Sequence, residues 1–165
     1  MNRENIDALY DYAYGITTGI NYRFRTNIQS RKDLHIARLI SELETLTELP
    51  TLYRATLWKD LTAYYGLTRG NINSKIGEVF TDYGFMSTSI DREVPPQMYS
   101  IDIGTVFMTI RSTGKHRAIN VNEILGEKSP AKCQKEILLG KGTKFIITQV
   151  ANKKGITYID VELKS

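Results

Sequence analysis

The stretch Gln134-Lys135-Glu136-Ile137-Leu138-Leu139 is a short apolar run with two polar residues at its mouth. Read as a strand, its side chains alternate between faces, so Gln134 and Glu136 point one way and Lys135 the other. An amide and an acid then stand side by side on one face. The segments 106–111, 118–121, 136–139, 143–150 and 157–163 carry the same signature, and Gly114, Gly126, Gly140, Gly142 and Gly155 punctuate them. The C-terminal half is therefore β-rich.

Upstream of these strands the pattern is helical. Ile6, Leu9, Tyr10, Ala13 and Tyr14 recur at helical spacing over 5–14, and Gly15 and Gly19 break the run. A second short helix is predicted over 20–27, where Asn21 and Arg25 are four residues apart and share a face. Leu34, Ala37, Arg38, Leu39, Leu43 and Leu46 predict a longer helix from Ser30 to about Leu49, capped by Ser30 with Asp33 and stopped by Pro50. After Pro50, residues 51–56 read as a strand. A helical or irregular stretch with Trp58, Tyr64 and Tyr65 follows, then a Gly- and Asn-rich loop over 66–77 and a second strand over 85–90. Pro95-Pro96 predicts an ordered loop after it. Helices first and strands after them give an α+β class, organised as one domain over 1–165.

Composition narrows the chemistry. The 165 residues carry a formal charge of +4, with Lys and Arg dispersed along the chain. This balance permits contact with phosphates or acidic surfaces without defining a nucleic-acid face. Cys133 is the single cysteine, which excludes an internal disulfide or a multi-cysteine zinc site; next to Gln134, it is expected to face the opposite side of the strand. The two histidines, His35 and His116, belong to no common motif, so no metal is expected. No run is apolar enough to span a membrane, and no basic-then-apolar signal pattern opens the chain. Either the protein acts in the cell that makes it, or the chain is a mature or excised domain.

Taken singly, an arginine in a strand, a Ser-Thr-Ser run and a glutamate at a strand start are ordinary edge or solvated residues. Their order is more informative: Tyr53-Arg54, then Gly84-Phe85-Met86-Ser87-Thr88-Ser89, then Gln134-Lys135-Glu136, then Gly142-Thr143-Lys144-Phe145. With Tyr14-Gly15 and Ile20-Asn21 to Arg25 ahead of it, this succession resembles the mono-ADP-ribosyltransferases over nearly the full chain. The branch resembled is that of bacterial and phage enzymes with an Arg, Ser-Thr-Ser, Gln-x-Glu signature, such as the clostridial Rho-modifying exoenzymes.

The resemblance implies N-terminal helices packed on two perpendicular, mainly antiparallel β-sheets, with an NAD cleft between the sheets. NAD is implied as a substrate: the nicotinamide–ribose bond is cleaved and ADP-ribose passes to a protein acceptor. The transition state is oxocarbenium-like, so negative charge near the ribose lowers the barrier. Glu136 is implied as that charge, oriented by Ser87. Arg54 is implied at the cofactor's phosphates, with further contacts from Asn21 and Arg25.

In the family resembled, glutamate two residues before the catalytic glutamate goes with arginine acceptors and glutamine with asparagine-type acceptors, so Gln134 implies an acceptor other than arginine. An amide can pair with an amide, whereas a carboxylate suits a guanidinium. Arg92 and Tyr99 are further candidates for phosphate and nicotinamide contacts. Between 122 and 133, Ser129-Pro130-Ala131-Lys132 lacks the aromatic of the Rho-modifying enzymes, which leaves the host acceptor open. Alternatives are an NAD glycohydrolase using the same residues, or an inactive member of the fold acting as a basic binding module. A secreted effector and a phage-encoded intracellular enzyme both fit.

Overall fold

The computed structural model describes residues 2–95, 104–129 and 134–165. Three helices come first: α1 (Arg3–Tyr14), α2 (Ile20–Arg25) and α3 (Arg31–Ser41). The strands are β1 (Thr45–Glu48), β2 (Leu52–Leu57), β3 (Val79–Asp82), β4 (Met86–Ser89), β5 (Thr105–Arg111), β6 (Lys115–Asn120), β7 (Glu136–Leu139), β8 (Thr143–Lys153) and β9 (Ile156–Lys164). Two further helices, α4 (Trp58–Tyr65) and α5 (Val121–Leu125), connect them. This is the expected α+β class.

The two expected sheets are joined. Among the described residues the strands form one sheet in the order β1-β6-β7-β4-β2-β5-β9-β8-β3. All neighbours are antiparallel except β5 and β9. The join between the halves is a single residue pair, Tyr53 on β2 opposite Ser89 on β4. A ladder of one pair leaves the backbones on either side free to diverge, and the candidate site lies beside this join.

Two apolar clusters clamp the sheet. Met86, Ile137 and Leu139 pack with Leu52, Met108, Ile110, Phe145 and Val161, whereas Phe85 and Leu138 pack with Leu9, Ile20, Phe24 and Ile40 of the helices. Adjacent residues of β7 thus enter different clusters, as a period of 2 requires. Ser87 and Glu136, in phase with Phe85 and Leu138, fall on the helix-facing side.

The helix expected from Ser30 to Leu49 ends early. α3 stops at Ser41, and Thr45–Glu48 forms β1, paired with Lys115–Ala118 of β6. Its capping box is as read: the Ser30 hydroxyl accepts from Asp33 N at 3.1 Å, and Asp33 Oδ2 accepts from Ser30 N at 2.9 Å. Leu34 and Leu46, read as core positions, are 50% and 61% exposed, while Ile40 is fully buried. The alternating Thr-Leu-Thr-Glu run satisfies a strand as readily as a helix, and the open ladder of β6 decides between them.

Two smaller differences follow from caps and turns. The strand expected over 118–121 ends at Asn120, whose side chain accepts from Glu123 N and opens α5. The loop over 66–77 contains a 3₁₀ turn, Ile72–Lys75, which buries Ile72. Cys133, Tyr99 and most of the loop expected after Pro95-Pro96 lie outside the described residues.

Candidate active site

β4 and β7 run antiparallel, with Ser87 opposite Leu138 and Ser89 opposite Glu136. Ser87 and Glu136 are therefore diagonal neighbours on one face, within reach of each other's side chains. The Ser87 hydroxyl donates to Glu136 Oε2. Glu136 is only 6% exposed. Burial pushes its carboxyl above the usual range, and the Ser87 hydrogen bond and the nearby Arg54 charge pull it back only in part.

Arg54, on β2 across the join, donates from Nη1 to the Ser87 carbonyl at 2.8 Å. One guanidinium thus ties the two halves of the sheet beside the acid. Arg54, Ser87, Gln134 and Glu136 line one pocket with Tyr53, Ala55 and Ser89.

Gln134 reaches this pocket by a different route from the expected one. The strand begins only at Glu136, and Lys135 adopts a left-handed φ of 48°, so Gln134 is not in strand phase. Its carbonyl accepts from the Ser89 hydroxyl at 2.6 Å, and the Lys135 carbonyl accepts from Ile90 N at 3.2 Å. One side-chain and one backbone donor at the end of β4 thus hold the turn and bring Gln134 beside Glu136 without the simple alternation.

Gln134, Ser87 and Glu136 also line a larger cleft of about 1100 Å³, counted with its open mouth. Its other walls are the glycine-bounded turn between α1 and α2, with Tyr12, Asn21, Tyr22 and Arg25, and Tyr64 of α4. Gly15 and Gly19, at φ of 86° and 82°, supply the left-handed backbone that folds this turn.

Asn21 and Arg25 share a face, as their spacing predicts, and both have protein partners. Asn21 accepts from Phe85 N at 2.8 Å through Oδ1 and donates from Nδ2 to the Tyr12 hydroxyl at 2.7 Å. Arg25 makes a bidentate pair with Asp82, Nε to Oδ1 at 2.8 Å and Nη2 to Oδ2 at 3.1 Å, and also donates to the Phe85 carbonyl at 3.0 Å. These bonds dock α2 on the turn that leads into β4, and they leave Nη1 of Arg25 outside the pair.

Arg92 falls elsewhere. It lines a neighbouring groove of about 660 Å³ with Tyr53, Phe107 and Tyr158, which meets the Glu136 pocket only at Tyr53, Arg54 and Pro95.

Three contributors escaped the sequence reading. Tyr12 lines the cleft and has its phenol pushed up to about 12, chiefly by burial. Tyr64 forms part of the cleft wall. Asp82, buried at the end of β3, anchors Arg25 and also accepts from the Tyr65 hydroxyl at 2.9 Å and from Gly84 N at 2.9 Å. A charged residue closing the strand-like run Val79-Phe80-Thr81, just before Tyr83-Gly84, was the available signal for Asp82.

The donor set suits a dinucleotide. A buried carboxylate with its hydroxyl partner can face a ribose bearing developing positive charge, guanidiniums can face a diphosphate, and rings can face a base. A model of the ADP-ribosyltransferase exoenzyme family matches residues 1–165. The chain belongs to that family.

As a member of the family it is an NAD-dependent ADP-ribosyltransferase, with NAD as its substrate. Similar solved structures include Plx2a, an ADP-ribosyltransferase toxin from Paenibacillus larvae, at 18% identity and TM-score 0.77, covering 100% of this chain and 88% of that one. C3stau2 from S. aureus, in a structure with NAD, superposes with TM-score 0.76 at 16% identity, covering 100% and 88% of the two chains. The Clostridium limosum C3 exoenzyme superposes with TM-score 0.72 at 17% identity, covering 100% and 87%. At these identities the likeness is one of fold. No sequence among curated proteins matches the chain.

Among the described residues, no helix of this transferase is long and apolar enough to cross a membrane. Nor does any cluster of three or more His, Cys, Asp or Glu residues there form a metal-holding group.

Proposed function

We propose that this transferase passes ADP-ribose from NAD to a side chain of a host protein, that Glu136 is the catalytic carboxylate, and that the acceptor side chain is not arginine. The observation that carries this reading is the shared lining of one cleft by Glu136, Ser87 and Gln134. Glu136 faces the ribose as positive charge develops there on breaking the bond to nicotinamide. Ser87 holds the carboxylate oxygen in place, and Arg54 faces the phosphates. Asn21 and Arg25 present the helix wall to the dinucleotide, with Nη1 of Arg25 the nitrogen free of the Asp82 pair. Arg92 stands in the neighbouring groove, which adjoins the Glu136 pocket at Tyr53, Arg54 and Pro95, and contributes to the substrate's phosphates from there. Gln134 meets the acceptor, where its amide can both donate and accept, and it lacks the charge that would hold a guanidinium.

The test is labelled NAD with host lysate, followed by mass spectrometry of the modified side chains. Transfer to amide or hydroxyl side chains that is abolished by Glu136→Gln is the expected result. Modified arginine, or undiminished transfer by Glu136→Gln, would overturn the reading. Gln134→Glu is expected to impair protein transfer at least about tenfold more than NAD hydrolysis; equal losses would remove Gln134 from acceptor handling. Hydrolysis of NAD without transfer to any protein would make water the acceptor instead.

A further inference from the structure

We propose that Tyr22 and Tyr64 form a stacking platform that holds the purine end of the dinucleotide by its ring face and hardly reads its edge. The inference rests on the reading of the cleft as the NAD site, and it concerns a part of that site to which no residue has yet been assigned.

Tyr22 is 53% exposed although it lines the cleft. A large aromatic ring left half in water at the mouth of a cleft has apolar surface to bury. It is also held in place. The Tyr22 and Tyr64 rings meet edge to face, with centroids 6.4 Å apart and an interplanar angle of 64°. Tyr64 is fixed in turn by Tyr65, at 6.3 Å and 80°, and by the Arg25 guanidinium 5.3 Å from its ring centroid. Arg25 is locked by Asp82. A chain of contacts therefore runs from a buried carboxylate to an exposed ring, and the ring is pre-organised at little entropic cost to a ligand.

The groups that line the cleft are of the three kinds that NAD would meet. Glu136, Ser87 and Gln134 line a pocket against β2 that neither Tyr22 nor Tyr64 lines. Arg25 and Arg54 line a pocket with Tyr64 that Glu136 does not line. Arg54 lines both of these pockets, and Glu136, Arg25, Tyr22 and Tyr64 share the larger cleft, so acid, guanidiniums and rings can all meet one dinucleotide. The neighbouring polar groups have little left for a base edge: both ends of the Asn21 amide are bonded to Tyr12 and Phe85, and Nε and Nη2 of Arg25 to Asp82 and Phe85. Stacking on an aromatic face is tolerant of base identity because every base has a π-face.

Calorimetric titration of the full chain with NAD, its hypoxanthine analogue and nicotinamide mononucleotide tests the platform. The wild-type protein is expected to bind NAD and the hypoxanthine analogue within about threefold of each other, and the mononucleotide more weakly, by roughly 5- to 150-fold for one stacked base. Tyr22→Leu and Tyr64→Leu are expected to weaken NAD by a comparable factor while leaving mononucleotide affinity nearly constant. Tyr22→Phe and Tyr64→Phe should restore most of the affinity, since they keep the ring. NAD affinity unchanged in the Leu variants, equal losses for NAD and the mononucleotide, or strong rejection of the hypoxanthine analogue would each overturn the proposal. A folded wild-type chain that fails to bind NAD would overturn the reading of the cleft and the platform with it. Binding of NAD that is insensitive to the ring removes the platform alone.

Discussion

Ser87 and Glu136 stand diagonally across the β4–β7 ladder, and the hydroxyl of one donates to the carboxylate of the other. Glu136 would otherwise be a buried acid facing a single guanidinium, held above its ordinary pKa by desolvation. Ser87 lowers that pKa and removes the freedom of the carboxylate to turn. The charge that Glu136 needs for its proposed role is therefore favoured by both Ser87 and Arg54 against the burial that opposes it.

Replacing Ser87 with Ala should expose that dependence. A hydrogen bond to a charged group contributes about 1.5–3 kcal/mol, so kcat is expected to fall roughly 10- to 150-fold with a smaller change in KM for NAD. The remaining carboxylate should titrate higher, moving the acid limb of the pH–rate profile upward. An acid limb in its wild-type place would show that Ser87 does not tune Glu136.

Glu136→Gln should separate activity from stability. Because burial raises the Glu136 pKa above its unfolded value, the native state keeps that proton to a higher pH than the unfolded chain does. The stabilisation this gives is fully present below the unfolded pKa and is lost as pH rises through the folded pKa. At pH 7 the buried charge is thus a net cost, and its neutral isostere should raise Tm, by about 2–4 °C for each kcal/mol relieved. The advantage should shrink as the pH falls below the carboxylate range, where the wild-type acid is also neutral. Thermal melts of both proteins at several pH values would check this; a lower Tm for Glu136→Gln at pH 7 would mean that the pairing with Arg54 outweighs desolvation.

Asp82→Asn should be costly although Asp82 is not proposed to touch substrate. The Arg25 and Asp82 side chains are 10% and 1% exposed, and removing one charge leaves the other buried without its partner. Such a break costs about 3–5 kcal/mol. Tyr65→Phe removes one hydrogen bond to the same carboxylate and should cost less, about 1.5–3 kcal/mol. Urea unfolding midpoints at constant m-value would rank them. A Tyr65→Phe loss equal to that of Asp82→Asn would place the weight of the network on the phenol.

The strands that carry Arg54, Ser87 and Glu136 were legible in the sequence, because a period of 2 is hard to disguise. The roles proposed for these three residues came from their order along the chain and the family resemblance it carries, since each taken singly is an ordinary strand residue. What was not legible arises from competition or from distance along the chain. Thr45–Glu48 satisfies both periods, and only the unpaired ladder of β6 makes it a strand. Gln134 reaches the cleft through a left-handed Lys135, a conformation that lysine does not advertise. Arg25 and Asp82 are 57 residues apart, and no local pattern pairs two such charges. The same holds for Tyr12, which lies within the helix read over 5–14 but outside the apolar positions that marked it.

Gly84 offers the most local test of how tightly the helix wall is set. A Cβ added there would lie 3.0 Å from Asn21 Oδ1, 3.1 Å from Asn21 Cβ and 3.2 Å from Arg25 Nε. Neither neighbour can swing aside freely, because Asn21 is bonded at both ends and Arg25 is held by Asp82. Gly84→Ala must therefore push α2 outward by a few tenths of an ångström or break one of those bonds. Overpacking of this kind costs about 1–3 kcal/mol. The displacement falls on the wall proposed to face the dinucleotide, so KM for NAD should rise several-fold while kcat changes less. Wild-type KM and Tm in Gly84→Ala would show that α2 is loosely docked, and that the bonds of Asn21 and Arg25 do not hold the cleft in shape.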